Sequence, residues 1–227
     1  MALSVLFEDN HLIVINKRAG DLVQGDKTGD KPLSDMVKDY IKVKYNKPGE
    51  VYLGVAHRID RPTSGIVVFA RTSKALTRLN KMFQDKEIQK TYWAVVRDAP
   101  GNESGELTHW LKRNTQQNKS YAHNKSIGSG SKESTLTYKL KAKSDNFFLL
   151  EVNPKTGRHH QIRTQLSFIG CPIKGDLKYG AKRSNPDGSI HLHARAIEFI
   201  HPVKKEPVTI VAPPPKDPVW DSFAKLD

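Results

Sequence analysis

Two short apolar runs open the chain, Val5-Leu6-Phe7 and Leu12-Ile13-Val14-Ile15, separated by Glu8-Asp9-Asn10. Their length and the polar break predict two strands joined by a tight turn. Leu33, Met36, Val37, Tyr40 and Ile41 then recur at helical spacing and predict one apolar helix face, with Asp30 as a candidate N-cap and Pro32 in the first turn. A second helix is predicted from about Ser73 to Gln84, capped by Thr72 or Ser73, with Leu76, Leu79, Met82 and Phe83 inward. A third follows Gly157, where Ile162, Leu166 and Ile169 share a face and Gly170 stops the helix, with Pro172 just beyond. Strand-like runs fill the rest: Ile66 to Ala70, Tyr92 to Val96, Leu136 to Leu140, Phe147 to Val152, Leu192 to Phe199 and Val208 to Val211. More strand than helix, without regular β-α alternation, predicts an α+β fold around a mixed, largely antiparallel sheet with flanking helices. No internal repeat is visible, and a single domain over residues 1–227 is expected.

The stretch from Thr108 to Lys143 breaks this pattern. Its cations are Lys112, Arg113, Lys119, Lys125, Lys132, Lys139, Lys141 and Lys143, against the single acid Glu133. It reads as a β-hairpin, and Gly/Ser-rich Ser126 to Lys132 as a loop tip. A solvated face would account for the lysines, but the charge of the whole chain favours a phosphate-contacting surface. With 37 Lys+Arg against 24 Asp+Glu, the formal net charge is +13. A basic face somewhere on the molecule follows, and nucleic acid is the expected partner ahead of lipid. The proline-rich tail, Pro213-Pro214-Pro215 and Pro218, reads as a stiff segment ending in a short amphipathic piece around Trp220 and Phe223.

No run approaches the roughly 20 apolar residues of a membrane span, and the first ten residues lack the order of a signal peptide. One cysteine, Cys171, excludes an internal disulfide and a cysteine-based zinc cluster. A soluble, cytoplasmic, monomeric protein is expected.

Candidate chemistry centres on His57-Arg58-Ile59-Asp60-Arg61-Pro62-Thr63-Ser64-Gly65, a polar loop that runs into the apolar strand. Arg58 and Arg61 flank Asp60 and favour its carboxylate form, the form that acts as a nucleophile. A single aspartate in such a loop is more often a turn former that accepts from nearby amides. A protein-kinase catalytic loop also contains His-Arg-Asp, but Ile59 interrupts the triplet here and neither a Gly-rich loop nor Asp-Phe-Gly accompanies it.

The nine-residue string resembles motif II of the RluA-type pseudouridine synthases, His-Arg-Leu-Asp, a variable pair, then Thr-Ser-Gly, with Ile59 in place of Leu. Other stretches agree in order and spacing. Phe7 to Gly20 is similar to the N-terminal motif, with Arg18 where the family has proline. Lys90-Thr91-Tyr92 resembles the stretch that carries the active-site tyrosine, and Gly157-Arg158-His159-His160-Gln161-Ile162-Arg163 resembles Gly-Arg-x-His-Gln-Ile-Arg. Pro172 to Asp176, Tyr179-Gly180 and His191 to Ala194 resemble the closing motifs.

The resemblance implies the pseudouridine synthase fold and isomerisation of uridine in structured RNA, rRNA or tRNA. The N1–C1′ bond breaks and a C5–C1′ bond forms, atoms are conserved, and no cofactor or metal is required. It implies Asp60 as nucleophile, Arg163 as the partner of its carboxylate, and Tyr92 as the ring that stacks on the flipped base. Leu192 becomes an apolar floor. Arg58, Arg61, Thr63, His160, Gln161 and Lys17 become candidate substrate contacts. A catalytically silent RNA-binding protein needs none of Asp60, Tyr92 and Arg163, and a hydrolase using Asp60 lacks an identifiable second carboxylate. Many members carry an N-terminal S4-type domain. This chain begins almost at the catalytic motif, so target choice is expected to lie in the catalytic domain and its insertions.

Overall fold

A computed structural model describes residues 3–25 and 29–223. In chain order the first elements are β1 (Val5–Glu8), β2 (Leu12–Lys17), α1 (Leu33–Lys44), β3 (Gly54–Val55), β4 (Ser64–Ala70), α2 (Ser73–Gln84) and β5 (Gln89–Val96). Then follow β6 (Ser104–Asn114), β7 (Lys119–His123), β8 (Ser131–Lys143), β9 (Phe148–Pro154), α3 (Gln161–Phe168), a 3-10 turn Leu177–Tyr179, β10 (Leu192–Ile200), β11 (Pro207–Val211) and α4 (Pro218–Asp221). The chain forms two compact units, Met1–Lys90 with Ala194–Pro215, and Thr91–His193 with Lys216–Asp227. Both are α+β, as the hydrophobic pattern predicts. No helix among the described residues is long and apolar enough to cross a membrane.

In the first unit the strand order is β1-β2-β4-β10, with β11 beside β10 and β3 beside β4. The predicted tight turn is made by Asp9, whose Oδ1 accepts from the backbone N–H of His11 and Leu12, both at 2.8 Å. Alternation along β2 and β4 sends Ile13, Ile15, Val67 and Phe69 to one face, where they pack on Leu33, Val37 and Ile41 of α1. Helix α2 begins and ends where its spacing predicts, and Thr72 accepts from Ala75 N–H at 3.2 Å as its N-cap. Helix α1 corrects the expectation for Asp30. Pro32 holds the N-cap position, and the N–H groups of Leu33 and Ser34 donate instead to the carbonyls of Leu22 and Val23. The preceding loop thus satisfies the helix end that a side chain was expected to satisfy.

The second unit is an antiparallel sheet in the order β5-β9-β8-β6-β7. One face carries Ala94, Val96, Leu136, Tyr138, Leu150 and Val152 against Ile162 and Leu166 of α3. On the other face Trp93, Val95 and Leu149 are covered by Trp220 and Phe223, so the tail's amphipathic piece closes a core. Asp217 caps α4 by accepting from Val219 and Trp220 N–H, and Pro218 stands where the first helical turn tolerates it. Residues 108–143 are not one hairpin. Strand β6 pairs with both β7 and β8 and so lies between them, and the Gly/Ser-rich loop covers residues 124–130 because Ser131 and Lys132 already open β8.

Candidate active site

Asp60 lies in the loop between β3 and β4, and the sequence around it explains why that loop holds one shape. The His57 ring packs at a tilt against Phe83 with centroids 4.8 Å apart, and its Nε2 accepts the Val68 N–H at 2.9 Å. The imidazole therefore caps a donor of β4 and must be neutral there. Enclosure, reinforced by the Lys90 charge, pushes its pKa down to about 3. Thr63 N–H then donates to the Asp60 carbonyl at 3.0 Å, closing a turn over the arginine and proline.

Gly65 ends the loop. Its φ is +109°, and a Cβ at this position would lie 2.4 Å from the carbonyl oxygen and 2.5 Å from the nitrogen of Ala194. Only glycine lets β4 and β10 approach this closely in that conformation. The Thr-Ser-Gly and His-Leu-His-Ala motifs thus meet backbone to backbone at Gly65 and Ala194.

Lys17 sits at the end of β2, in register with Gly65. It is 1% exposed. Its ammonium donates to the carbonyls of Arg18, Asp21 and Arg61 at 2.9, 2.9 and 3.1 Å, so all three of its N–H bonds have acceptors. Burial pulls its pKa down to about 7 against the opposing pull of the Asp21 and Asp60 carboxylates. Lys17, expected at the RNA, is instead a buried pin between the N-terminal loop and the Asp60 loop. No signal in the sequence separates a lysine of this kind from a surface one. Thr63 is also buried, at 1% exposure, and its hydroxyl has no hydrogen-bond partner. Arg58 and Arg61 are exposed. Arg61 is steadied by Nε donating to the Gly20 carbonyl at 3.0 Å and Nη2 to Asp30 at 2.7 Å, which is where the misassigned helix cap goes.

The neutral His57 makes stability pH-dependent. Its pKa in the folded chain lies below the unfolded value of about 6.5, so the unfolded state takes up the extra proton and stability falls as pH drops from about 6.5. His191 and His201 are shifted in the same direction by burial. Urea unfolding of the wild type is expected to lose stability between pH 7 and pH 5. His57→Phe, which cannot take that proton, is expected to lower the slope by about 1.4 kcal/mol per pH unit. At pH 8 the same variant leaves Val68 N–H without its acceptor and costs about 1–3 kcal/mol. An unchanged pH slope would remove His57 from this role.

The second unit carries the other candidates. Tyr92, on β5, is half-buried and packs with Leu192, which is 4% exposed, against the same apolar cluster as α3. Helix α3 is preceded by His160 in the left-handed region, φ 54° and ψ 27°. That conformation costs a non-glycine residue about 1–2 kcal/mol. It is held by His160 Nδ1 at 2.9 Å from the Tyr179 hydroxyl and by the His159 ring, stacked on His160 at 3.7 Å. Gln161, another expected RNA contact, is spent on structure. Its Oε1 accepts from Thr156 and from Arg158 N–H, and its Nε2 donates to the Thr135 carbonyl.

Arg163 forms a two-pronged bond with Asp176, Nε to Oδ2 at 2.7 Å and Nη2 to Oδ1 at 2.8 Å, with both side chains buried. The guanidinium also lies over the Tyr179 ring, 5.0 Å from its centroid. Tyr179 is 4% exposed and accepts from Ser120 N–H at 2.9 Å. The closing Gly-Asp and Tyr-Gly motifs therefore supply the frame that fixes Arg163 and His160. Their spacing after α3 was visible in the sequence, but their function was not.

Residues 11–168 match the family described as RNA pseudouridylate synthase. Ribosomal large subunit pseudouridine synthase D of Xylella fastidiosa is 33% identical over 95% of this chain and 67% of the relative. Ribosomal large subunit pseudouridine synthase C of Buchnera aphidicola subsp. Baizongia pistaciae is 31% identical over 92% of this chain and 66% of the relative. The chain thus spans about two thirds of the length of these relatives. Among solved structures, human RNA Pseudouridylate Synthase Domain Containing 4 superposes with a TM-score of 0.80 at 25% identity, covering 98% of this chain and 92% of that one. Taken with the Asp60 loop and the Arg163 frame, these matches show that the chain belongs to the RNA pseudouridylate synthase family.

Proposed function

We propose that the chain converts uridine to pseudouridine in RNA, with Asp60 as nucleophile, and that its target lies in ribosomal RNA. The observation that carries the reading is the Asp60 loop. Its backbone is fixed by His57, Lys17 and Gly65, and its carboxylate, with that of Asp21, works against the lowering of the Lys17 pKa by burial. A rigid loop of this kind offers a preorganised carboxylate. Two relatives named for the large ribosomal subunit favour rRNA over tRNA.

In this reading Asp60 attacks the flipped nucleotide and is released unchanged. The N1–C1′ bond is exchanged for C5–C1′, N1 gains a proton and C5 gives one up. Nothing is oxidised or reduced, so no cofactor enters. Arg163, held by Asp176, pairs with the Asp60 carboxylate. Tyr92 stacks on the extruded base, with Leu192 as the apolar floor. Arg58 and Arg61 bind phosphates, and His160 contacts the substrate. Lys17 and Gln161 act through the loops they hold, and Thr63 supplies a buried hydroxyl beside the turn.

The test is deletion of the gene followed by mapping of pseudouridine across rRNA and tRNA. One or a few rRNA sites are expected to disappear, restored by wild type and not by Asp60→Ala. Full restoration by Asp60→Ala would end the nucleophile assignment, and a loss confined to tRNA would overturn the choice of RNA.

A further inference from the structure

One face of the three strands β7, β6 and β8 has no part in the chemistry above. Register places Trp110 opposite His123 and Lys112 opposite Tyr121. Side chains alternate along a strand, so these four share one face, while His109, Leu111, Ser120 and Ser134 point to the buried face, each 7% exposed or less. Tyr121 is 41% exposed, and Lys112 is exposed beside it. Lys119 Nζ lies 5.3 Å from the centroid of the Tyr121 ring. The only acid of the 108–143 stretch, Glu133, pairs with Trp110 from the β8 side.

The opposite face of β7, and the β6–β7 turn, adjoin the loop before α3. Strand β7 hydrogen-bonds through Ser120 Oγ to the His159 carbonyl at 2.8 Å, and Asn118 Oδ1, in the β6–β7 turn, lies 3.1 Å from His159 Nε2. Aromatic rings interleaved with cations on an open strand surface make a platform for unpaired bases, the rings stacking and the cations meeting phosphates. An apolar protein partner would not need the lysines, and the formal charge of +13 complements a polyanion.

We infer that Trp110, Tyr121 and His123, with Lys112 and Lys119, form a docking surface for a single-stranded segment of the RNA substrate. The inference rests on the RNA-modifying reading above and extends it to substrate choice, since this surface would select RNA with an unpaired segment.

The chain has three tryptophans, and Trp93 and Trp220 are each 3% exposed, so quenching by a ligand reports on Trp110. Titration with a 20-nucleotide oligouridylate is expected to quench the fluorescence saturably, and Trp110→Phe is expected to abolish the quench. With a fluorescein-labelled copy of that oligonucleotide, anisotropy should show Trp110→Ala and Tyr121→Ala each weakening binding about fivefold or more. Lys112→Ala should lower the slope of log K against log salt by about 0.7. Thermal unfolding of each variant checks that the fold is kept. Absence of quenching at saturation, affinities within twofold of wild type, or equal quenching by a 20-base-pair RNA duplex would each overturn the platform. Pseudouridine formation by wild type in rRNA is measured in parallel. Quenching without pseudouridine would end the isomerase reading and leave the platform standing.

Discussion

Asp60→Asn is expected to abolish pseudouridine formation, by at least about 10⁴-fold in single turnover, while leaving the protein folded. Removing the nucleophile of a covalent mechanism costs several orders of magnitude because the remaining groups act only through it. The amide keeps the size of the carboxylate but cannot attack. The loop is held by backbone hydrogen bonds and by neighbouring residues. Its turn is closed by the Asp60 carbonyl, and its flanks are held by His57, Lys17 and Gly65. Unfolding by urea should therefore stay within about 1 kcal/mol of wild type. A variant that kept measurable turnover, or that lost activity only through unfolding, would require another nucleophile.

The second large effect is at Asp176. Its carboxylate takes both prongs of Arg163, and the two side chains are 1% and 6% exposed. Breaking a buried pair by removing one partner leaves an uncompensated charge and costs about 3–5 kcal/mol. Asp176→Asn is expected to lose stability on that scale in urea. Arg163→Met together with Asp176→Leu is expected to recover part of it, because both charges are then gone. Activity separates frame from chemistry. Measured well below the unfolding transition, Asp176→Asn should lower kcat more than it changes KM, since the guanidinium it orients is proposed to serve Asp60. A stability change under 0.5 kcal/mol, or a pure KM effect, would contradict this account of Asp176.

Elements with a strong apolar period were legible from the residues. Helix α2 has its cap at Thr72 and the expected limits, and of the expected stripe Leu76, Leu79, Met82 and Phe83 it buries Leu79 and Met82, with Ala75 beside them. The three strands β6, β7 and β8 were harder. In β6 only Leu107 and Leu111 are aliphatic among eleven residues, because one face meets solvent and Gly105, His109 and Arg113 take the other positions of the second face. Alternation that weak reads as a polar hairpin arm. Asp30 looked like a cap because local chemistry permits it, yet the backbone of Leu22 and Val23, folded back from the preceding loop, satisfied the helix first. Lys17 and Gln161 illustrate the limit at the site. Both are polar residues in recognisable motifs, and both satisfy backbone groups brought close by tertiary structure. Polarity in a motif signals that a residue matters, and only packing shows whether it faces the ligand or the loop.

The chain is proposed to make the C5–C1′ bond in ribosomal RNA. Bond exchange expels the C5 hydrogen, so rRNA prepared from the deletion strain with tritium at uracil C5 offers the most direct measurement. Wild-type protein is expected to release tritium to water in a fixed ratio to RNA molecules, equal to the number of sites lost on deletion, and Asp60→Asn none. No release from that rRNA by folded wild-type protein would contradict the claim.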